Sequence, residues 1–532
     1  MTLDQLGARI HHLDMSSVSL GFTFLEYALL LLLPFMVLLV VNRIFFHPLR
    51  AYPGPIVAKI SDIYTGFYAL GMRLNVVTYR DLKKYGPVLR HGPNKLVFNS
   101  PKALQDIYNN DRMTKSHVYE LTVTSGKPSI FNAIDRQKHR EKRKLIGQAI
   151  TDKAMRSFEP TMIEQIEVFL EQIQLASPSV DPQPVNMTDL TKRLGADIVG
   201  HLAFGYALDT QTRSDNRFLL RGLAVGTYQN NSFMQFPLLK HMGFHKLVPL
   251  VAGYSARARY TKMLQEMIVA RLSQEKHAKN DLYSFVVDHL DTGGSNHGVK
   301  TSELWSEALF FFPAGGDTVT TALSALFFYL AHYKAVYGKL AKEIRKTFHD
   351  ESSIRGGPKL ASCRYLKACI EEALRLSPPV SGTLWRELYS DELKNGALVV
   401  DGHVIPSGIQ VGVSIYSIHH NEQYFEDPFI FRPERWLTED HDALTRMYSA
   451  FSPFSMGPRG CAGKSMAYLE ASLVIAKTMW RFDFTLAPGK LGSVGQVGSK
   501  APGADRFAEF QLHDTFGSRH DGPNLVFQSS SS

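Results

Sequence analysis

Cysteine is scarce in this chain: Cys363, Cys369 and Cys461 are the only three in 532 residues. An odd count with no Cys-x-x-Cys pair excludes a secreted disulfide framework and zinc-type cysteine pairing, and it places the bulk of the chain in a reducing compartment. Blocks of one charge are missing too. The formal net charge is +9, but no long Lys/Arg run carries it. The excess reads as a weak preference for acidic partners or anionic membrane surfaces and not as a nucleic-acid signature. No internal repeat is present, and no low-complexity linker interrupts residues 59–528 before the serine tail at 529–532. With 44% hydrophobic and 20% charged residues, the composition is that of a folded chain with a large core.

Long apolar runs are absent but for one. Residues 18–41 are almost wholly apolar, broken mainly by Glu26 and Pro34. As a helix this run spans about 36 Å, enough to cross a bilayer. Polar residues precede it and no small-x-small site follows, which argues against a cleaved signal peptide. The start is neither Arg-rich nor free of acids, which argues against a mitochondrial transit peptide. Arg43, Arg50 and Lys59 follow the run, whereas Arg9 before it is offset by Asp4 and Asp14. The positive-inside bias therefore puts the C-terminal body in the cytoplasm and residues 1–17 on the far side. Pro48, Pro53, Gly54 and Pro55 mark 42–58 as a stiff connector.

Residues 59–528 read as one mainly helical domain with small sheets. Amphipathic stretches lie near 160–175, 255–277, 302–347 and 463–481, and strand-like runs near 87–99, 396–405 and 482–486. Gly293–Gly294 and Gly356–Gly357–Pro358 read as loops between helices.

The strongest local signal is Phe454-Ser-Met-Gly457-Pro-Arg459-Gly-Cys461-Ala-Gly463. Glycines allow a tight loop and close approach to a flat group, and the residues from Lys464 to Arg481 read as a helix beginning just after the cysteine. A helix N-terminus beside a cysteine favours the thiolate. The segment resembles the haem loop of the cytochrome P-450 superfamily, Phe-x-x-Gly-x-Arg-x-Cys-x-Gly, and all five fixed positions match. The resemblance implies haem b with Cys461 as the axial thiolate and metal ligand, a strong electron donor to the iron. It further implies Phe454 shielding the sulfur, Arg459 on a haem propionate, and Gly457 and Gly463 shaping the cofactor's bed.

Other motifs extend the resemblance over nearly the whole chain. Glu372-Ala-Leu-Arg375, with Arg435 in Phe431-Arg-Pro-Glu-Arg-Trp436, resembles the family's Glu–Arg–Arg network, a structural element behind the haem. Ala314-Gly315-Gly316-Asp317-Thr318, inside an apolar helix from about Thr301 to Ala331, resembles the oxygen-binding groove. Two helical glycines cost about 1 kcal/mol each, which asks for a reason. By resemblance, Gly315 opens the groove, Thr318 steadies the activated oxygen and Asp317 delivers protons. Pro313 is unusual there and is expected to strengthen a kink.

His139 and Arg143 share a face of the basic helix Arg136–Ile150 with Ile146 and Ile150. The family usually has Trp-x-x-x-Arg here; His139 stands where Trp is usual and can still donate to a propionate. Arg386 resembles a third propionate ligand. Lys138, Arg140, Lys142, Lys144 and Lys464 would flank the proximal side and attract an acidic reductase.

The expected fold is therefore mainly α with small β-sheets, the cytochrome P-450 fold preceded by one N-terminal transmembrane helix. The layout resembles microsomal eukaryotic members, most like fungal ones. That implies a single-pass protein of the endoplasmic reticulum membrane, with electrons from NADPH through a separate cytochrome reductase and cytochrome b5 as an optional second donor. The implied reaction is insertion of one atom of O2 into a lipophilic small molecule, in secondary metabolism or detoxification. Substrate contacts are expected from 116–131, 225–245, Phe310–Thr318, 379–384 and Phe516–Ser518, with Phe233, Met234, Phe236, Phe310, Phe311, Phe312 and Val380 as apolar candidates. Desaturation, ring closure and phenol coupling use the same centre and stay open as alternatives. The Asp317–Thr318 pair weighs against a haem-thiolate isomerase, and the full groove against a haem sensor.

Overall fold

The computed structural model describes residues 30, 32–123, 126–149, 151–178, 181–244, 254–275, 279, 281–286, 301–497 and 508–530. Residues 18–29 and Leu31 of the expected anchor, the Gly293–Gly294 loop, Ile150 and the last two serines lie outside that set. Residues 32–41 are helical and lead into a π-helical turn at Asn42–Phe46. Among the described residues, no helix is long and apolar enough to cross a membrane. The expected connector packs on the body: the Arg90 guanidinium donates to Arg43 O at 2.9 Å, and Leu49 is buried.

The interior is helical. The helix Thr318–His332 is buried at every position from Val319 to Ala331, the mark of an element surrounded by others. Around it pack Asp152–Ala176, Met187–Phe204, Arg364–Leu376 and Lys464–Arg481, whose apolar faces form the largest core cluster. Thr151 caps the first of these through Ala154 N, and Asn186 caps the second through Asp189 N. The second ends on Gly205 in the left-handed conformation.

The apolar stretch at 302–347 is not one helix. It divides into Thr301–Gly316, Thr318–His332 and Lys334–Thr347. The chain stays helical through Pro313 and breaks at Asp317, four residues beyond the expected kink. Two glycines of low helix propensity precede the break, and the Thr318 hydroxyl donates to Ala314 O at 2.7 Å, competing for a ladder acceptor.

The β structure is small, as expected. The hairpin Val88–Gly92/Lys95–Phe98 joins Gln410–Val413, Arg386–Leu388 and Met113–Lys115 in a five-stranded sheet in that spatial order. Its last pair is antiparallel and sets Lys115 directly opposite Arg386. Phe482–Leu486 pairs with Asn524–Ser529 and Val185–Asn186 in a second sheet. The hairpin His513–Thr515/Gly517–Arg519 carries Phe516 at its tip with φ +75°.

Candidate functional site

One cavity of ≈ 430 Å³ lies between the cysteine loop, the helix break at Asp317 and the hairpin tip at Phe516. It gathers the candidates from four separate stretches of chain: Cys461, Arg459, Phe454, Gly463, Thr318, Asp317, Gly315, His139, Arg143 and Arg386 all line it.

The floor is the cysteine loop. Cys461 N donates to Phe454 O at 2.8 Å, closing the loop on itself. Gly457 makes the turn at φ +68°, where a Cβ would lie 2.0 Å from Tyr108 O, so no other residue fits. At Gly463 the reverse holds: nothing among the described residues lies within 4 Å of a Cβ, so their packing does not explain that glycine, whereas a flat group above the loop would. The Cys461 sulfur is accessible from the cavity although protein surrounds it. Burial pushes its thiol up, and the Gly463 amide, Arg143 and Lys464 pull it back. The helix Lys464–Arg481 starts just after it and adds its positive end.

One rim is crowded with cations that form no ion pair among the described residues, although Glu307 and Asp135 act on Lys115 and Arg459 from further away. Arg459 donates to the carbonyls of Ala133 and Ile134, to Thr114 Oγ1 and to Tyr389 OH. Arg143 donates to Gly460 O at 2.8 Å. Arg386 donates to Trp385 O and lies over the Tyr108 ring. Lys115 donates to Phe131 O. Among the described residues, every one of these acceptors is uncharged. Like charges directly opposite in a sheet are unfavourable, yet Lys115 faces Arg386 across the ladder. Burial, then Arg386, Arg459 and Arg143, push the Lys115 ammonium well below its ordinary range. His139 sits among the same four groups; burial, then Arg459, Lys115, Arg143 and Arg386, push it down to about 3. It is neutral at ordinary pH and offers one N–H. The rim is built to take anions, and a pair of carboxylates on a flat cofactor fits both its charge and its position beside the cysteine.

Asp317 and Glu470 are the only acids that line the cavity among the described residues. Burial pushes the Asp317 carboxyl up, and Lys192 pulls it down. Burial pushes Glu470 up to about 8, and its Oε1 finds no hydrogen-bond partner among the described residues.

One reading of the sequence is extended here, at Gly315, and one is corrected, at Lys142. Gly315 lines the cavity, but its missing side chain serves packing: a Cβ would lie 2.8 Å from Val199 Cγ2. On the partner helix, a Cβ at Gly195 would lie 2.8 Å from Gly316 O. The paired glycines let the central helix approach Met187–Phe204. Lys142 is not on the exposed basic face; it is buried and paired with Glu307 at 2.9 Å. Lys138, Arg140, Lys144 and Lys464 are exposed.

Behind the floor, Glu372, Arg375 and Arg435 form the network read from the sequence. Glu372 accepts from Arg375 Nε and Nη2, Arg435 Nε, Arg432 N and Trp436 Nε1, all at 2.9–3.1 Å.

All five expected substrate segments reach the cavity, through residues such as Tyr119, Met234, Phe310, Val380 and Phe516. Phe311 lines it too, whereas Phe312 stacks on Phe204, Phe236 packs on Gly66 and Phe233 is buried away from it. Lys115, Glu307 and Glu470 were not foreseen; each is a lone residue in a segment with no motif around it.

The sequence profile of the cytochrome P450 family matches residues 55–492. The chain is 33% identical over 511 residues to cytochrome P450 monooxygenase AKT7 of Alternaria alternata, covering 94% of this chain and 96% of that one. It is 32% identical to cytochrome P450 monooxygenase poxM of Penicillium oxalicum, covering 92% of each, and 32% identical to cytochrome P450 monooxygenase apf7 of Gibberella fujikuroi, covering 92% and 96%.

Proposed function

The chain belongs to the cytochrome P450 family and is a monooxygenase, and on that premise we propose that Cys461 is the axial ligand of its haem. The observation that carries this assignment is the rim of cations beside the cysteine. Arg459, Arg143, Arg386 and Lys115, with His139 as a neutral donor, receive the two propionates and so fix which way the group faces. Haem, when bound, supplies the iron at which dioxygen is activated and one oxygen atom passes to substrate. Phe454 covers the loop beside the sulfur and keeps water from it.

Thr318 gives its own hydrogen to Ala314 O, which leaves its Oγ1 lone pairs to accept from a group in the cavity. Asp317, raised by burial, holds a proton nearer neutral pH than an exposed carboxyl does and passes it toward Thr318. The Glu372–Arg375–Arg435 network holds the loop from behind. The substrate is a lipophilic small molecule: the walls are Phe131, Phe310, Phe311, Phe516, Met234 and Val380. Secondary metabolism or detoxification is the setting that suits such a pocket and such relatives.

Residues 18–41 anchor the chain in the endoplasmic reticulum membrane, with the catalytic body in the cytoplasm. Exposed apolar residues support this: Leu33, Phe35 and Leu38 on the N-terminal helix, then Phe46, Ile56, Ile63 and Phe67. Leu238 and Met242 continue the surface, since Gly66 lies against Phe236. Electrons come from NADPH through a reductase in the same membrane, which docks on Lys138, Arg140, Lys144 and Lys464; cytochrome b5 uses the same face. The test is the reduced carbon monoxide difference spectrum of the full chain. The wild type gives a thiolate-type band and Cys461→Ala gives none; a thiolate-type band in Cys461→Ala overturns the assignment.

A further inference from the structure

A buried ion pair ties three segments together above the cavity. Glu307, on the helix Thr301–Gly316, is 5% exposed, and Lys142, on the basic helix, is 8% exposed. The Lys142 ammonium donates to Glu307 Oε1 at 2.9 Å. Both Glu307 oxygens also accept from Ile130 N, each at 3.0 Å. Ile130 belongs to a short loop whose other polar groups are engaged as well. Ser306 Oγ donates to Pro128 O at 3.4 Å, Lys115 donates to Phe131 O, and Asn132 Nδ2 donates to Thr122 Oγ1 at 3.2 Å. The loop's projecting side chain is Phe131. It stacks on Phe310 with centroids 5.1 Å apart and 14° between planes, and meets Phe516 edge-on at 5.1 Å.

A buried ion pair is poor evidence for stability, because desolvation offsets most of its attraction and apolar replacements are often neutral. What it supplies is direction. A carboxylate held by an ammonium on one helix can receive a backbone amide from a loop in one place only. Here that place fixes the register of residues 128–132, and with it the ring that closes the cavity wall.

We propose that Glu307 is a positioning and specificity-determining residue: balanced by Lys142, its carboxylate holds the 128–132 loop so that Phe131, Phe310 and Phe516 form a closed aromatic wall that favours flat apolar substrates. The proposal rests on the reading of this cavity as the haem and substrate site. Glu307 touches neither reacting group; it acts through Ile130 and Phe131.

The experiment uses the full haem-loaded chain and two azoles that report through the haem absorption spectrum, imidazole and phenylimidazole. Imidazole is too small to reach the aromatic wall; phenylimidazole places a ring against it. The wild type prefers phenylimidazole. Glu307→Leu lowers affinity for phenylimidazole about tenfold and for imidazole less than about twofold, the scale of one lost hydrogen bond to a charged group. Glu307→Leu with Lys142→Leu removes both charges of the pair and loses the same preference while keeping haem. Glu307→Gln keeps an oxygen for Ile130 N–H and restores most of the preference. Affinities for the two azoles that fall together, or a double variant with wild-type preference, overturn the clamp. A wild-type chain that takes up no haem overturns the underlying reading of the cavity instead.

Discussion

Removal of the Glu372 carboxylate strands two buried cations, and the size of the effect can be worked out. Glu372, Arg375 and Arg435 have side chains 0%, 0% and 3% exposed. Burial would push the Glu372 carboxyl up; Arg375 and Arg435 outweigh it and hold it below its ordinary range. In Glu372→Leu two guanidiniums lose the one carboxylate paired with them among the described residues, and breaking a buried pair costs about 3–5 kcal/mol. Arg432 N and Trp436 Nε1 lose their acceptor as well, at about 1–3 kcal/mol each. The sum, about 5–11 kcal/mol, is comparable with the whole stability of an ordinary domain, about 5–15 kcal/mol. A chain of this length with a cofactor does not unfold in one step, so the assay reads haem retained per chain and the urea midpoint of the haem band. Glu372→Leu should retain less than about a tenth of the wild-type haem. Replacing Glu372, Arg375 and Arg435 together by leucine removes the stranded charges, and that variant should recover soluble, helical protein. Haem content and urea midpoint unchanged in Glu372→Leu would refute the reasoning, because no buried cation would then have depended on this carboxylate.

Three further outcomes follow from the same geometry. Thr318→Ala should keep the thiolate-type spectrum while NADPH and oxygen are consumed with little product; unchanged coupling, measured as product per NADPH, removes Thr318 from proton handling. Glu470 has a folded pKa of about 8 against 4.5 unfolded, so the stability its protonated form gives is complete below pH 4.5 and is lost as pH rises through 8. At about 1.36 kcal/mol per unit the whole effect is ~5 kcal/mol, so Glu470→Gln should flatten the decline in thermal midpoint between those limits, and an identical slope in both proteins defeats the idea. Gly457→Ala should abolish haem uptake through its clash with Tyr108 O, whereas Gly463→Ala should leave the haem-free fold intact and weaken haem binding alone; circular dichroism beside haem titration separates the two.

How much of this was legible in the sequence depended on how local each signal is. The cysteine loop needs five fixed residues within ten positions, and the Glu372–Arg375 pair sits one helical turn apart, so both could be read directly. The strand at 482–486 and the helix after Cys461 were read to their observed ends because an apolar pattern and a glycine bound them. The rest depends on neighbours distant in the chain. Gly315 and Gly316 signalled that something comes close, but only the fold shows that it is Val199 and Gly195. Lys142 stands in a run of basic residues, and only the burial of Glu307 across from it turns it inward. Lys115 lies in a three-residue strand with no pattern at all; its meaning comes from facing Arg386. The break at Asp317 was displaced from Pro313 because the Thr318 hydroxyl, and not the proline ring, takes the carbonyl at the turn.

The two walls of the cavity are held by different kinds of bond, and this difference divides the work between them. From the triad to the cysteine the connection is continuous. The Arg375 guanidinium donates to His419 O, and His419 Nδ1 donates back to Arg375 O. His419 Nε2 then accepts from Ser452 N at 2.9 Å, and two residues on, Phe454 O receives Cys461 N. Burial, then Arg375, push His419 down to about 3, so its imidazole stays neutral and Nε2 stays an acceptor at any pH the folded chain meets. Phe451 stacks on the same ring and leaves it one orientation. The links from Arg375 through His419 to Ser452 are buried and charge-assisted or ring-locked, which suits a ligand whose position must not vary. The facing wall has no such path. It is held by separate contacts: the Glu307 carboxylate at Ile130, the Ser306 hydroxyl at Pro128, the Thr318 hydroxyl at Ala314 and the tip at Phe516. A floor and a wall held by separate sets of bonds let the wall be shaped to a substrate without moving the ligand beneath it, which a site requires when one chemistry must be applied to a substrate chosen by shape.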